Sequence, residues 1–162
     1  MKSQKMNVFI VDDDASMITL VKNHLAKRFG KELTISSFDN GESCLEELNE
    51  NTHVVILDYY LNGKNGLDIL QLIKKKNPAT EVIMLSNNED IVAAIESLKR
   101  GAWDYIIKDT GSLKRISALV NRLSESIRIV PEPAKLSNYG AFLFFTFTTM
   151  AIAITVIIKY YY

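Results

Sequence analysis

Cysteine is almost missing from this chain of 162 residues: Cys44 stands alone, so no internal disulfide can form. The lone thiol suits a reducing compartment. No cluster of cysteine and histidine has zinc-ligand spacing, since the histidines are His24 and His53 only. Proline and glycine are scarce too, at 3 and 7 residues, which excludes a collagen-like or Pro/Gly-rich disordered chain. Charge of one sign is lacking, because 19 basic groups balance 19 acidic ones. A nucleic-acid binder held by bulk charge is therefore not expected. The opening apolar run, Met6–Val11, stops at Asp12-Asp13-Asp14, too soon for the core of a signal peptide.

What the sequence does contain is an alternation of two periodicities. Met6–Val11, Leu33–Ser37, His53–Leu57, Glu81–Leu85 and Asp104–Ile107 read as short strands. Between and after them, Ser16–Phe29, Gly41–Glu50, Leu67–Lys76, Asp90–Arg100 and Leu113–Ile129 carry apolar residues at helical spacing. Gly101 is expected as a left-handed cap closing the fourth helix. Strands that are apolar throughout, separated by helices, predict an α/β fold: a doubly wound, five-stranded parallel sheet covered on both faces. Val130-Pro131-Glu132-Pro133 ends the fifth helix, because proline removes a helix hydrogen bond and restrains the residue before it. The domain boundary is placed there.

The informative polar residues fall at the carboxyl ends of the predicted strands. Asp12 and Asp13 end the first, Asp58 the third, Ser86 the fourth and Lys108 the fifth. In an open parallel sheet of order 2-1-3-4-5, ligands bind outside these ends, between strands one and three. Three carboxylates in one cleft repel one another unless a cation joins them, and a hard oxygen set suits Mg²⁺. A lysine and a hydroxyl beside them suit an anion such as a phosphoryl group. Asp14 reads as an acid at a helix start, favoured by the dipole, and Lys74-Lys75-Lys76 as the complementary cations of a helix end.

The runs Val11-Asp12-Asp13-Asp14, Val55-Ile56-Leu57-Asp58, Met84-Leu85-Ser86 and Gly101-Ala102-Trp103-Asp104-Tyr105-Ile106-Ile107-Lys108 resemble the receiver domain of bacterial two-component response regulators. The likeness covers about residues 5–129, with every landmark in order. It implies a flavodoxin-like fold in which Asp58 accepts a phosphoryl group from a histidine kinase or phosphotransfer protein. It further implies that Asp13 binds Mg²⁺ directly, Asp12 acts mostly through water, and Tyr60 supplies a backbone carbonyl to the metal. Lys108 would pair with the phosphoryl oxygens, while Ser86 and Tyr105 form the switch. Dimerisation through the fourth helix, fifth strand and fifth helix is also implied.

Three positions depart from that family's pattern. Asn62 stands where proline is usual, Asn87 follows Ser86 where alanine is commoner, and Asp109 follows Lys108 where proline is usual. A cis Lys108–Asp109 bond would cost about 2.5–4 kcal/mol, and a trans bond would reposition Lys108. Two other classes of function stay open at this point. A pseudo-receiver would bind partners without phosphorylation, and a haloacid-dehalogenase-like phosphatase would use Asp12 and Asp14 as its catalytic pair.

The chain's end is of another kind. Gly140–Ile158 holds 19 residues without a charge, and Lys159 is the one charged residue beyond Lys135. At 1.5 Å per residue a helix of that length reaches about 28 Å, close to a bilayer's hydrocarbon core. Tyr139 and Tyr160–Tyr162 flank it as interfacial aromatics do. Arg122, Arg128 and Lys135 precede the span, so the positive-inside rule places the preceding domain in the cytoplasm. The expected organisation is a receiver over 1–130, a linker over 131–138, a transmembrane helix over 139–159 and a tail over 160–162. The expectation is thus a single-pass protein of the inner membrane, signalling to a downstream protein and not to DNA.

Overall fold

A computed structural model describes residues 5–62, 64–87 and 89–129. The linker and the expected transmembrane helix lie outside the described residues. Among those described, no helix is long and apolar enough to cross a membrane.

The elements run β1 (Met6–Val11), α1 (Ala15–Phe29), a 3-10 turn (Gly30–Glu32), β2 (Leu33–Phe38), α2 (Gly41–Glu47) and β3 (Thr52–Asp58). Then come the two-residue strands β4 (Tyr60–Leu61) and β5 (Lys64–Asn65), α3 (Gly66–Lys76), β6 (Glu81–Ser86), α4 (Ile91–Lys99), β7 (Asp104–Ile107) and α5 (Ser112–Ile129). Five strands make a parallel sheet of order β2-β1-β3-β6-β7. Setting aside the small β4–β5 ladder, this is the expected 2-1-3-4-5. The second helix is shorter than expected: Leu48 leaves the helical region at ψ 127° and its buried side chain turns into the core.

Alternate residues of each strand point to opposite faces, so the sheet feeds two cores. Val8, Ile10, Val54, Ile56, Ile83, Leu85 and Ile106 pack with Val21 and Leu25 of α1 and Ile116 and Val120 of α5. Phe9, Val11, Val55, Leu57, Val82 and Met84 pack with Cys44 of α2, Leu70 and Ile73 of α3, and Ala93 of α4. Burial on both faces explains why these strands are apolar at every position and do not alternate. Burial also pushes the Cys44 thiol up to about 12, so it serves as a small hydrophobe and not a nucleophile.

α4 is held differently from the other helices. Its buried residues are Ala93 and Ser97, whereas Ile91, Val92, Ile95 and Leu98 all face outward. Gly101 takes the expected left-handed conformation (φ 94°) just past its end, which a larger residue would adopt only under strain.

Candidate functional site

Each strand delivers its last residue to one edge of the sheet. Asp12 continues β1, its N–H bonded to the Phe38 carbonyl at 3.1 Å, and Asp58 ends the neighbouring β3. Lys108 follows β7, anchored by its own N–H on the Ser86 carbonyl at 2.7 Å. Because β1 and β3 are adjacent where strand order reverses, the acidic residues meet at the sheet's switch point.

The carboxylates of Asp12, Asp13 and Asp58 each place one oxygen within 4.8 Å of the others. Asp12 and Asp58 are buried, while Asp13 is exposed. The Lys108 ammonium sits between the buried two, 2.8 Å from Asp12 Oδ2 and 2.9 Å from Asp58 Oδ2. Contact with Asp12 is an ion pair outside hydrogen-bond geometry, so that fully buried Oδ2 accepts no hydrogen bond. Its other oxygen accepts the Asp14 N–H at 3.0 Å. Asp13 Oδ2 accepts the Asn62 N–H at 2.9 Å, and Asp58 Oδ1 takes a long bond from the Tyr60 N–H at 3.4 Å.

The electrostatics follow from this crowding. Burial pushes the Asp58 carboxyl above its usual range, and the Asp12 charge adds to the rise against the opposing pull of Lys108. For Lys108, burial is the largest influence and favours the neutral amine. The two carboxylates together outweigh it and hold the ammonium above its ordinary value. Three carboxylates and one ammonium leave the site with a formal charge of −2. The all-oxygen donor set and that residual charge fit a hard dication such as Mg²⁺.

These groups line an open cleft of about 220 Å³ with Asp14, Met17, Tyr60 and Asn87. Most of the residues named from the sequence therefore converge. Ser86 stands behind the cleft, wholly buried, with its hydroxyl hydrogen-bonded to Tyr105. Burial holds the Tyr105 phenol above its usual value, against that bond. The Tyr105 ring also meets Tyr59 edge-on, with centroids 6.2 Å apart.

Asp14 is used as a cap. Its Oδ1 accepts the Ser16 N–H at 2.8 Å, and this bond holds its carboxyl below the usual range. The alternative pairing of Asp12 with Asp14 as phosphatase groups is corrected by the carboxylates that do assemble, those of Asp12, Asp13 and Asp58. The Lys108–Asp109 bond is trans, since the described residues contain no cis peptide, and Lys108 still reaches both acids. Asp109 instead ties down the loop, accepting from Gly111 N–H at 2.8 Å and pairing with Arg115 at 2.7 Å. Asn87 is exposed at the cleft, where its side chain adds bulk beside Asp58.

Two contributions to the site were not foreseen from the sequence, although Asn62 stood out there as a departure from the family's pattern. Gly66 opens α3 against the acceptor strand, and a Cβ there would stand 2.2 Å from the Asp58 carbonyl oxygen. Its N–H bonds to the Tyr59 carbonyl at 2.7 Å, which pins the loop's exit to its entry. Asn62 is the other, through its bond to Asp13.

An open α/β domain with an acidic cleft and a lysine at its switch point has the groups to accommodate a divalent cation. Comparison with known proteins gives the class its name: residues 8–121 match the response regulator receiver domain model, and the chain belongs to that family. A receiver is a signalling phosphoacceptor and not a turnover enzyme. Over 138 residues the chain is 37% identical to the DNA-binding transcriptional regulator NtrC of Escherichia coli K12, covering 85% of this chain and 29% of NtrC. The chain thus spans less than a third of that relative's length. The BeF3-activated receiver domain of Thermotoga maritima DrrB superposes with a TM-score of 0.67 at 29% identity, covering 75% of this chain and 99% of that one. The receiver domain of Brucella abortus NtrX gives a TM-score of 0.65 at 30% identity, covering 73% and 98% respectively.

Proposed function

We propose that this chain relays a signal by accepting a phosphoryl group on Asp58 from a sensor histidine kinase or phosphotransfer protein. The carrying observation is the buried Lys108 ammonium lodged between Asp58 and Asp12 in the lining of an acidic cleft. An Asp58 carboxylate oxygen forms the new O–P bond as the donor's N–P bond breaks, and the leaving imidazole keeps the electron pair. Lys108 moves its charge onto the arriving phosphoryl oxygens. Asp12, Asp13, Asp58 and the Tyr60 carbonyl are the groups that would hold Mg²⁺, which when bound would supply positive charge beside the incoming phosphoryl group. The BeF3-activated state of the DrrB relative supports carrying an activated form over to this chain.

Ser86 then leaves Tyr105 to donate to the phosphoryl group, and the Tyr105 ring moves inward toward Tyr59. Such a change biases a two-state surface made of α4, β7 and α5. The outward-facing Ile91, Val92, Ile95 and Leu98 support that surface as the place where a downstream protein or a second copy is engaged. The apolar run Gly140–Ile158 supports a transmembrane anchor following the short linker, with the receiver on the cytoplasmic side of the inner membrane. Nearness to a membrane kinase would then raise the effective concentration of this substrate.

The test is phosphorylation of the full chain, in mild detergent, by a small-molecule phosphodonor with Mg²⁺. Wild type is expected to gain one acid-stable, hydroxylamine-labile phosphoryl group, and Asp58→Ala none. Equal labelling of the two, or none in either, would refute the assignment. Membrane fractionation of the full chain against one ending at residue 130 tests the anchor: only the longer chain should sediment with membranes.

A further inference from the structure

Asn62 is the one non-glycine residue in the left-handed region among the described residues, at φ 47°. Asparagine tolerates that conformation better than most side chains, because its short amide can bond locally. Here the turn has a consequence beyond the loop. The Asn62 main-chain N–H donates to Asp13 Oδ2, 49 residues away in sequence, at 2.9 Å. The side-chain amide reaches the other way, donating to the Asp39 carbonyl at 3.4 Å. One residue thus links the loops that follow β1, β2 and β3.

Asp13 needs such a tie. It is the exposed member of the triad, and two carboxylates within 4.8 Å repel it toward solvent. Unlike Asp12 and Asp58, it makes no ion pair with Lys108. A single N–H on one oxygen opposes that repulsion and leaves lone pairs on both oxygens for a cation.

We propose that Asn62 is a positioning residue for the cation site: its N–H, presented by the left-handed turn, holds the Asp13 carboxylate toward Asp12 and Asp58. The proposal rests on the reading of that triad as a divalent-ion site. It makes ion affinity depend on a main-chain donor that proline at this position would lack.

The test uses Mn²⁺ as a hard divalent probe, titrated into the full chain in mild detergent while electron paramagnetic resonance follows the free ion. Asn62→Gly keeps both the N–H and access to positive φ, and is expected to bind within about twofold of wild type. The α-hydroxy analogue of asparagine at position 62, which replaces only the N–H by oxygen, is expected to bind about tenfold more weakly, the equivalent of one hydrogen bond to a charged acceptor. Thermal melting without metal separates loss of fold from loss of affinity. Asn62→Pro, which loses the donor and, with φ held at about −65°, the left-handed turn as well, is expected to bind at least as weakly. Wild-type affinity in the chain lacking the donor, or equal weakening in Asn62→Gly, would overturn the role of Asn62 alone. No Mn²⁺ uptake by wild type sensitive to Asp13→Asn would overturn the ion-site reading and this inference with it.

Discussion

The two ends of the sheet solve opposite problems. At the amino ends of the strands, neutral polar groups bond to one another and the charges are paired, Lys74 donating to the Thr80 carbonyl at 2.8 Å and lying 3.7 Å from Glu81. Asn7 N–H donates to His53 Nδ1 at 3.0 Å, and the Asn7 amide donates to the Asn51 carbonyl at 2.9 Å. Thr80, wholly buried, donates its hydroxyl to the Thr52 carbonyl at 2.8 Å, and Asn77 bridges to the Asn49 carbonyl at 3.0 Å. At the carboxyl ends, charged groups of mostly one sign crowd together and a buried Asp12 oxygen accepts no hydrogen bond. One end is finished as it folds, whereas the other remains short of positive charge. A domain that must respond to a small charged group concentrates its unmet electrostatic demand where that group arrives and spends satisfied hydrogen bonds elsewhere.

Removing the lysine should break this contrast most severely. Lys108→Met leaves Asp12 and Asp58 buried side by side without a counter-charge, and is expected to cost about 3 kcal/mol or more in metal-free denaturant unfolding. Its loss should also abolish transfer to Asp58. A loss below about 1 kcal/mol would mean that water reaches the pair and screens it.

At the other end the expected penalty is smaller and purely structural. Thr80→Val removes one buried hydroxyl while keeping shape, and should lower stability by about 1–2 kcal/mol. Labelling of Asp58 by a phosphodonor should be unchanged under conditions where the domain stays folded. A matching fall in labelling would show that the two ends are coupled.

His53 gives the mildest effect and one that depends on pH. It is the extra residue of β3 where the pairing with β1 shifts register, between Asn7 and Val8. Its Nδ1 accepts a main-chain N–H that the shifted ladder leaves over. Burial lowers its pKa below the ordinary 6.5, so the folded chain resists a proton that the unfolded chain accepts. Above about pH 6.5 both states are neutral and the residue adds no pH dependence. Below it stability should fall as pH drops toward the lowered folded value, by less than about 1.4 kcal/mol per pH unit for one group. His53→Gln should flatten the stability profile over that window, as measured by urea midpoints from pH 7.5 to 5.

Much of this was legible in the sequence, for reasons that differ by element. Strand runs such as Val54–Leu57 could be read because burial on both faces leaves no polar position. Asp12, Asp13, Asp58 and Lys108 could be read because a parallel sheet sends its strand ends to one edge. Asp14 was visible as a helix-start acid, since capping is local chemistry. By contrast, the Asn62–Asp13 and Asn7–His53 bonds join residues 49 and 46 positions apart, and no local pattern marks them. The geometry of the Lys108–Asp109 peptide could not be read from the sequence, and neither could the Asp109–Arg115 pair and the Gly111 bond that hold its loop.

The central claim is that crowded carboxylates at the sheet's switch point make a divalent cation part of the folded state's electrostatic balance. Its most direct test is the unfolding free energy of the full chain with and without saturating Mg²⁺, for wild type and Asp13→Asn. Wild type should gain stability with rising Mg²⁺ as expected for an ion bound only by the native state, about 2.7 kcal/mol at a hundred times the dissociation constant. Asp13→Asn should lose most of that gain. Identical curves with and without Mg²⁺ in wild type would contradict the account.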